Sequence, residues 1–208
     1  MRNLAVIFDW GGVLMRTVDY GPRFAWDDRL GLPRGSVESV IHGSDHVSSD
    51  WRLAQQGSIT IDEYWYRAGR RLGLTAKQLS ELRGDFYSGD KIDQSLVDLI
   101  RNLRNRGLRA GLLSNYTTDL IGIIIREGLD GLFNAQVISA AIGVMKPDPA
   151  AYQAILDELS VESKNAFFID DFEDNVKGAQ ALGISAVRFT PELELADLID
   201  SWISEKSK

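Results

Sequence analysis

The sequence contains no cysteine and only two histidines, and this scarcity excludes several kinds of chemistry. Without cysteine the chain has no disulfide, no thiolate nucleophile and no cysteine-based metal site. The histidines, His42 and His46, fall close together in a helical segment, where we expect solvent exposure or local hydrogen bonds. No Gly-x-Ser-x-Gly motif accompanies them, which disfavours a serine hydrolase. Glycine-rich nucleotide-binding loops are also missing.

Long hydrophobic runs and excess positive charge are missing too. No apolar run approaches the length that spans a membrane, and Asp9 interrupts the N-terminal run too early for a signal-peptide core. We therefore expect a cytoplasmic protein without a membrane partner. Thirty acidic residues against twenty-three basic ones give a net charge of −7, which argues against a nucleic-acid partner. An anionic small substrate would need local positive charge from a metal or a specific lysine. The oligomeric state is left open.

The apolar run at residues 4–8 ends on a carboxylate, Asp9, and two glycines, Gly11 and Gly12, follow shortly after it. A short apolar run bounded by glycine is typical of a strand buried on both faces, in the middle of a parallel sheet. Glycine lets the backbone bend sharply and approach a ligand closely. The pattern therefore predicts a central strand that ends in an acid, although Asp is also a common turn residue.

Residues 16–87 have helical periodicity and most of the tryptophans, and they predict a helical insert after the first strand. Thr60 and Thr75 carry helix-capping patterns with Glu63 and Gln78. The aromatic residues of the insert predict a small core of its own rather than a substrate-facing wall; they are Trp26, Trp51, Tyr64, Trp65 and Tyr66. The rest of the chain, residues 1–15 and 88–208, would then form one core domain.

Helical and apolar strand patterns alternate from residue 95 to the end of the chain. This alternation predicts an α/β fold with a Rossmann-like parallel sheet flanked by helices. Ligands bind at the carboxyl ends of the strands in such sheets. Several polar residues fall at these ends or on a following loop: Asp9, Ser114, Lys146, Asp170 and Asp171. We expect them to converge on one edge.

Carboxylates that meet at one edge repel each other and favour a hard cation with oxygen ligands, such as Mg²⁺. Asp9 and Asp171 are the natural ligands. A carboxylate beside Mg²⁺ can attack phosphorus to form an aspartyl phosphate, while Ser114 holds a phosphoryl oxygen and Lys146 supplies charge. Taken singly, these residues could equally be a turn serine, a surface lysine and acids at a helix start.

Four ordered segments, residues 8–14, 113–115, 146–148 and 168–175, resemble the motifs of the haloacid dehalogenase (HAD) superfamily. The insert resembles the mobile cap of that superfamily's first subclass. The acid pair followed by Asn175 is similar to the sugar-1-phosphate phosphatase-like branch and to the phosphatase domain of soluble epoxide hydrolase. The resemblance implies a Mg²⁺-dependent phosphatase that acts on a small phosphorylated metabolite.

The resemblance also implies a role for each matching residue. Asp9 would be the nucleophile and a metal ligand, and Asp171 would also bind the metal. Ser114 and Asn115 would bind the phosphoryl group, and Lys146 would contact both that group and the nucleophile. Two further metal-binding positions are implied. One is the backbone carbonyl of Gly11, and the other is Asp170, which would bind the metal directly or through a neighbouring ligand.

Gly11 departs from the family pattern, because phosphatases of the superfamily usually carry a second Asp there as general acid and base. A general acid or base contributes about 10²–10⁴-fold, so we expect slow turnover. A good leaving group, a water molecule or a donor from the insert could compensate; the candidate donors are Asp19, Asp27, Asp28 and His46. Two alternatives stay open: a metal-independent 2-haloacid dehalogenase, and a binding or regulatory protein that has lost turnover.

Overall fold

A parallel five-stranded sheet forms the centre of the molecule, as the sequence predicts. The computed structural model describes residues 3–43 and 49–206. In the order in which they lie in the sheet, the strands are β5 (Ala135–Ile138), β4 (Arg109–Ser114), β1 (Ala5–Phe8), β6 (Ala166–Asp170) and β7 (Ser185–Arg188). Every residue of β1 is buried, and Phe8 pairs with Leu112 on one side and Ile169 on the other.

Alternate residues of β1 point into two separate hydrophobic cores. Val6 and Phe8 face a core that includes residues of α6 (Gln94–Asn105), α7 (Leu120–Arg126) and α11 (Leu195–Lys206). Ala5 and Ile7 face a core that includes residues of α9 (Pro149–Leu159) and α10 (Glu173–Ala181). Burial on both faces is why β1 has no polar alternation in the sequence. The short helix α8 (Ser139–Ile142) and a 3₁₀ turn (Ser163–Asn165) complete this part of the chain.

Five helices lie between β1 and α6 in the described residues: α1 (Gly21–Leu30), α2 (Ser36–His42), α3 (Ser49–Gln55), α4 (Ile61–Arg71) and α5 (Ala76–Asp85). They share a hydrophobic cluster of their own, which contains Trp26, Trp51, Tyr64 and Trp65. Tyr66, by contrast, is 55% exposed. The prediction of a core within the insert is therefore confirmed for these four residues and wrong for Tyr66, which lies about half a turn of α4 away from the buried Tyr64. None of the helices in the described residues is long and apolar enough to cross a membrane.

A small antiparallel pair of strands, β2 (Met15–Thr17) and β3 (Asp90–Ile92), brings the two ends of this helical segment together. The sequence pattern does not indicate these strands, because three residues are too few to show an alternation of apolar and polar side chains. The predicted cap at Thr75 is present with its reciprocal Gln78 bond. At Thr60 only half of the pattern forms: its side chain accepts from Glu63 N, while the Glu63 carboxylate binds Arg67 at 2.7 Å.

Candidate active site

Asp9 lies directly after β1, at the carboxyl edge of the sheet, and is 8% exposed. Its backbone N–H donates to the carbonyl of Ile169 at 2.9 Å, which continues the pairing of β1 with β6 by one residue. Its Oδ1 accepts from the backbone N–H of Trp10 at 2.7 Å and lies 2.9 Å from Lys146 Nζ. The described hydrogen bonds therefore fix one Asp9 oxygen and leave Oδ2 for a ligand.

Lys146 is buried, and its ammonium group binds three oxygens. Nζ lies 2.6 Å from Asp170 Oδ2, 2.8 Å from the carbonyl oxygen of Leu113 and 2.9 Å from Asp9 Oδ1. An ammonium group has three N–H donors, so all of them are used. Burial alone would lower the pKa of Lys146, but the carboxylates of Asp170 and Asp9 raise it above its usual value. Lys146 is thus a fixed positive charge, and it would have to exchange a bond to touch a phosphoryl group.

The Asn115 side chain makes two hydrogen bonds to the backbone of Lys146. Its Nδ2 donates to the carbonyl of Lys146, and its Oδ1 accepts from the Lys146 N–H, both at 2.8 Å. The side chain is therefore occupied with positioning Lys146, and the phosphoryl contact that the resemblance implies for Asn115 stays a prediction. The carbonyl of Asn115 in turn accepts from Nε2 of Gln55, at the end of α3, at 2.6 Å.

Asp170 is fully buried at the end of β6, and both of its oxygens are engaged. Oδ1 accepts from the backbone N–H of Phe172 at 2.8 Å and from Asn175 Nδ2 at 3.0 Å. Oδ2 accepts from Lys146 at 2.6 Å and from the same Asn175 nitrogen at 3.1 Å. This geometry favours Asp170 as the partner of Lys146 rather than as a direct metal ligand.

Asp171 packs against Gly12 in the loop after β1. A Cβ atom at Gly12 would lie 2.0 Å from Asp171 Oδ2, and Gly12 has a φ of +76°, which glycine adopts without strain. Only glycine therefore fits here with the Asp171 carboxylate in this place. Burial raises the pKa of Asp171 above its usual value, and the nearby charge of Asp170 raises it further.

Gly11, the next residue along from Trp10, is exposed and has open space beside it. A Cβ atom built there meets no other atom within 4 Å. An acidic side chain would therefore fit at this position, but glycine supplies none.

The candidate donors named from the sequence have other positions or partners. Asp27 is 1% exposed and accepts the backbone N–H groups of Gly35 and Val37, both at 2.7 Å, so it caps α2. Asp19 is exposed and binds Gly21 N, and Asp28 is also exposed. His46 lies outside the described residues. His42 is hydrogen bonded locally, to Glu38 at 2.8 Å and to the hydroxyl of Tyr87 at 3.3 Å.

Ser114 is the last residue of β4 and is buried. β4 lies beside β1, with Leu112 opposite Phe8, so Ser114 and Asp9 end neighbouring parallel strands. The predicted convergence of polar groups at one edge is therefore seen for Asp9, Ser114, Lys146, Asp170 and Asp171. Asn175, Gln55 and the carbonyl of Leu113 also take part. Asn175 and Leu113 belong to the motif segments, although the motifs do not predict these contacts, and no sequence pattern singles out Gln55.

The three carboxylates could hold a metal ion. Asp9, Asp170 and Asp171 each offer an oxygen, and these oxygens lie within 4.8 Å of one another. Burial raises the pKa of Asp9 to about 7; Lys146 opposes this shift, and the charges of Asp170 and Asp171 add to it. Accumulated negative charge with oxygen ligands alone suits a hard divalent cation such as Mg²⁺. With Asp170 occupied by Lys146 and Asn175, Asp9 and Asp171 are the carboxylates best placed to bind it.

Comparison with known proteins identifies the family of this chain. Residues 4–183 match the model of the haloacid dehalogenase-like hydrolases. The chain is 33% identical to phosphatase MT3486 of Mycobacterium tuberculosis over 89% of this chain and 87% of the relative. It is 30% identical to mouse acyl-CoA dehydrogenase family member 10 over 93% of this chain, but spans only 18% of that longer protein.

A solved HAD-family enzyme from Bacteroides thetaiotaomicron, in complex with magnesium and inorganic phosphate, has the same fold. The TM-score is 0.77 and the identity 22%, with 94% of this chain and 98% of the other covered.

Proposed function

Because the chain belongs to the haloacid dehalogenase-like hydrolase family, we propose that it is a Mg²⁺-dependent phosphatase that acts on a small phosphorylated metabolite through an aspartyl phosphate. The observation that carries this proposal is the position of Asp9, a carboxylate fixed by Lys146 at 2.9 Å, within a cluster of three acids. The phosphatase relative of similar length supports the reaction class.

Each residue of the site has its own part in the proposed reaction. Asp9 attacks phosphorus as the bond to the leaving oxygen breaks, and the leaving oxygen keeps the bonding electrons. The leaving oxygen takes its proton from water, because Gly11 offers none. A water molecule then attacks the phosphorus and gives up a proton to solvent as the bond between phosphorus and Asp9 breaks, which frees the Asp9 carboxylate and inorganic phosphate. Ser114 holds a phosphoryl oxygen, and Lys146 orients Asp9 and offsets negative charge. Asp9, Asp171 and the carbonyl of Gly11 would hold Mg²⁺, which neutralises the phosphoryl oxygens when it is bound.

We also propose that the helical insert acts as a cap and that turnover is slow. Residues 16–87 would form a cap over the core of residues 1–15 and 88–208, and the contact between Gln55 and Asn115 at 2.6 Å supports their cooperation. Turnover would be slow with poor leaving groups, because Gly11 offers no proton. A cytoplasmic location stays a prediction, which fractionation of cells tests.

A substrate panel tests the reaction class. We expect inorganic phosphate from acetyl phosphate and phosphate esters only when Mg²⁺ is present, and none from an Asp9→Asn variant. Release of halide from chloroacetate without metal would instead identify a 2-haloacid dehalogenase. A folded protein that releases neither product and forms no fluoroberyllate complex at Asp9 would be a binding or regulatory member of the family.

A further inference from the structure

Asn175 connects the acid cluster to a part of the core that the proposed reaction does not use. It lies in the first turn of α10 and is 6% exposed. Its Nδ2 lies 3.0 Å from Oδ1 and 3.1 Å from Oδ2 of Asp170, so it spans both oxygens of that carboxylate. This contact limits rotation of the Asp170 side chain.

Tyr152 holds Asn175 in turn. It belongs to α9, is fully buried, and donates its hydroxyl to the carbonyl oxygen of Asn175 at 2.7 Å. Its ring packs edge-on against Phe168 of β6, with 5.6 Å between ring centroids. Tyr152 therefore fixes the backbone of Asn175, and the Asn175 side chain fixes Asp170. Asp170 in turn binds Lys146, which forms an ion pair with Asp9.

Asp170 has two competing uses in such a cluster. Its carboxylate can bind Lys146, as it does at 2.6 Å, or it can turn toward a divalent cation beside Asp9 and Asp171. If it turned, Lys146 would lose its closest counterion and its hold on Asp9 would loosen. Hydrogen-bond partners behind the reacting groups orient them in this way in many metal sites.

We propose that Asn175 and Tyr152 are positioning residues that commit Asp170 to Lys146 and thereby keep Lys146 on the nucleophile. This inference rests on the proposed phosphatase function. A purely structural role, in which the two residues only join α9 to α10, predicts a loss of thermal stability without a specific change in kcat.

The test compares Asn175→Ala and Tyr152→Phe with the wild type, using 4-nitrophenyl phosphate over a range of Mg²⁺ concentrations. Tyr64→Phe is the matched control, because Tyr64 is equally buried and donates its hydroxyl to the carbonyl of Ile41 at 2.8 Å, within the helical insert. We expect Asn175→Ala to lower kcat by about 10- to 100-fold and Tyr152→Phe to lower it less, with no rise in the half-saturating Mg²⁺ concentration. Tyr64→Phe should lose comparable thermal stability with kcat unchanged.

Two outcomes would overturn the inference. One is a kcat for both folded variants equal to that of Tyr64→Phe; the other is a rise in half-saturating Mg²⁺ that accounts for the whole loss of rate, since Asp170 would then serve the metal. Phosphate release by the wild type tests the proposed function separately from these two outcomes. A wild type that releases no phosphate overturns the proposed function itself, whereas active wild type with unaffected variants overturns only the positioning role.

Discussion

Gly11 is the residue that sets the expected rate. The open space beside it accepts a side chain, so Gly11→Asp should fold and should raise kcat/KM on alkyl phosphates, by up to about 10²–10⁴-fold if proton transfer limits the reaction. Gly11→Asn is the matched control, because it fills the same space without an acid. Equal rates for wild type and Gly11→Asp on esters with poor leaving groups would mean that another residue, or water, already supplies the proton.

Gly12 is expected to behave oppositely to its neighbour. A Cβ atom at Gly12 would lie 2.0 Å from Asp171 Oδ2, whereas one at Gly11 touches nothing within 4 Å. Gly12→Ala should therefore displace the Asp171 carboxylate and raise the half-saturating Mg²⁺ concentration by about 10- to 100-fold. Gly84→Ala in α5 is the control and should leave this concentration unchanged, because a Cβ atom there also meets nothing within 4 Å. Phosphate release titrated with Mg²⁺ measures both. An unchanged Mg²⁺ requirement in Gly12→Ala would argue against Asp171 as a ligand.

Asp9 should give the metal-free protein a characteristic pH dependence. Burial raises the pKa of the Asp9 carboxyl from 3.8 to about 7. Between about pH 4 and about pH 7, this carboxyl is therefore protonated in the folded state and ionised in the unfolded state. Stability should fall as pH rises through this window. We expect the Tm of the metal-free wild type to fall more steeply than that of Asp9→Asn, and Mg²⁺ to bind more tightly as pH rises. Parallel Tm curves for the two proteins would contradict this account.

The contact between α3 and the loop after β4 joins the helical insert to the residues that hold Lys146. Gln55 donates to the carbonyl of Asn115 at 2.6 Å, and Asn115 holds Lys146. One such bond is worth about 1 kcal/mol. Where that energy serves to hold Lys146 in the transition state, Gln55→Ala should lower kcat/KM a few-fold.

Gln180→Ala provides the control for this contact. Gln180 makes a similar side-chain bond to the carbonyl of Ala186 at 3.0 Å, on an exposed part of α10. The Gln180→Ala variant should leave kcat/KM unchanged. If Gln55→Ala behaves like Gln180→Ala, the helical insert does not influence the site through Asn115.

The sequence predicts the large elements and the edge where they end, for reasons that are local. A buried parallel strand appears as an uninterrupted apolar run, so β1, β4 and β6 are recognisable, and Asp9, Ser114 and Asp170 follow from their ends. Helix caps are similarly local, as the reciprocal bonds between Thr75 and Gln78 illustrate.

The remaining features depend on contacts between residues far apart in the chain. The three bonds of Lys146 come from three different segments, and the use of both Asp170 oxygens by Asn175 appears only once α10 packs on the sheet. The same is true of Asp27, which reads as a free acid but caps α2 through Gly35 and Val37. Sequence spacing cannot report how a carboxylate divides its oxygens among partners.

For the whole molecule, charge is the property that links fold to function. The chain carries a net charge of −7, and three carboxylates meet at the sheet edge around one buried lysine. An anionic phosphoryl group would be repelled from such a site unless a divalent cation joined it. Both Mg²⁺ and the Asp9 carboxylate are therefore indispensable for the proposed reaction.

The most direct test is the intact mass of the protein after it reacts with acetyl phosphate and is quenched in acid. We expect a gain of one phosphoryl group, located on the peptide that contains Asp9, only when Mg²⁺ is present. The Asp9→Asn variant should gain none. A phosphoryl group that persists in Asp9→Asn, or phosphate release by a wild type that needs neither Asp9 nor Mg²⁺, would contradict the account.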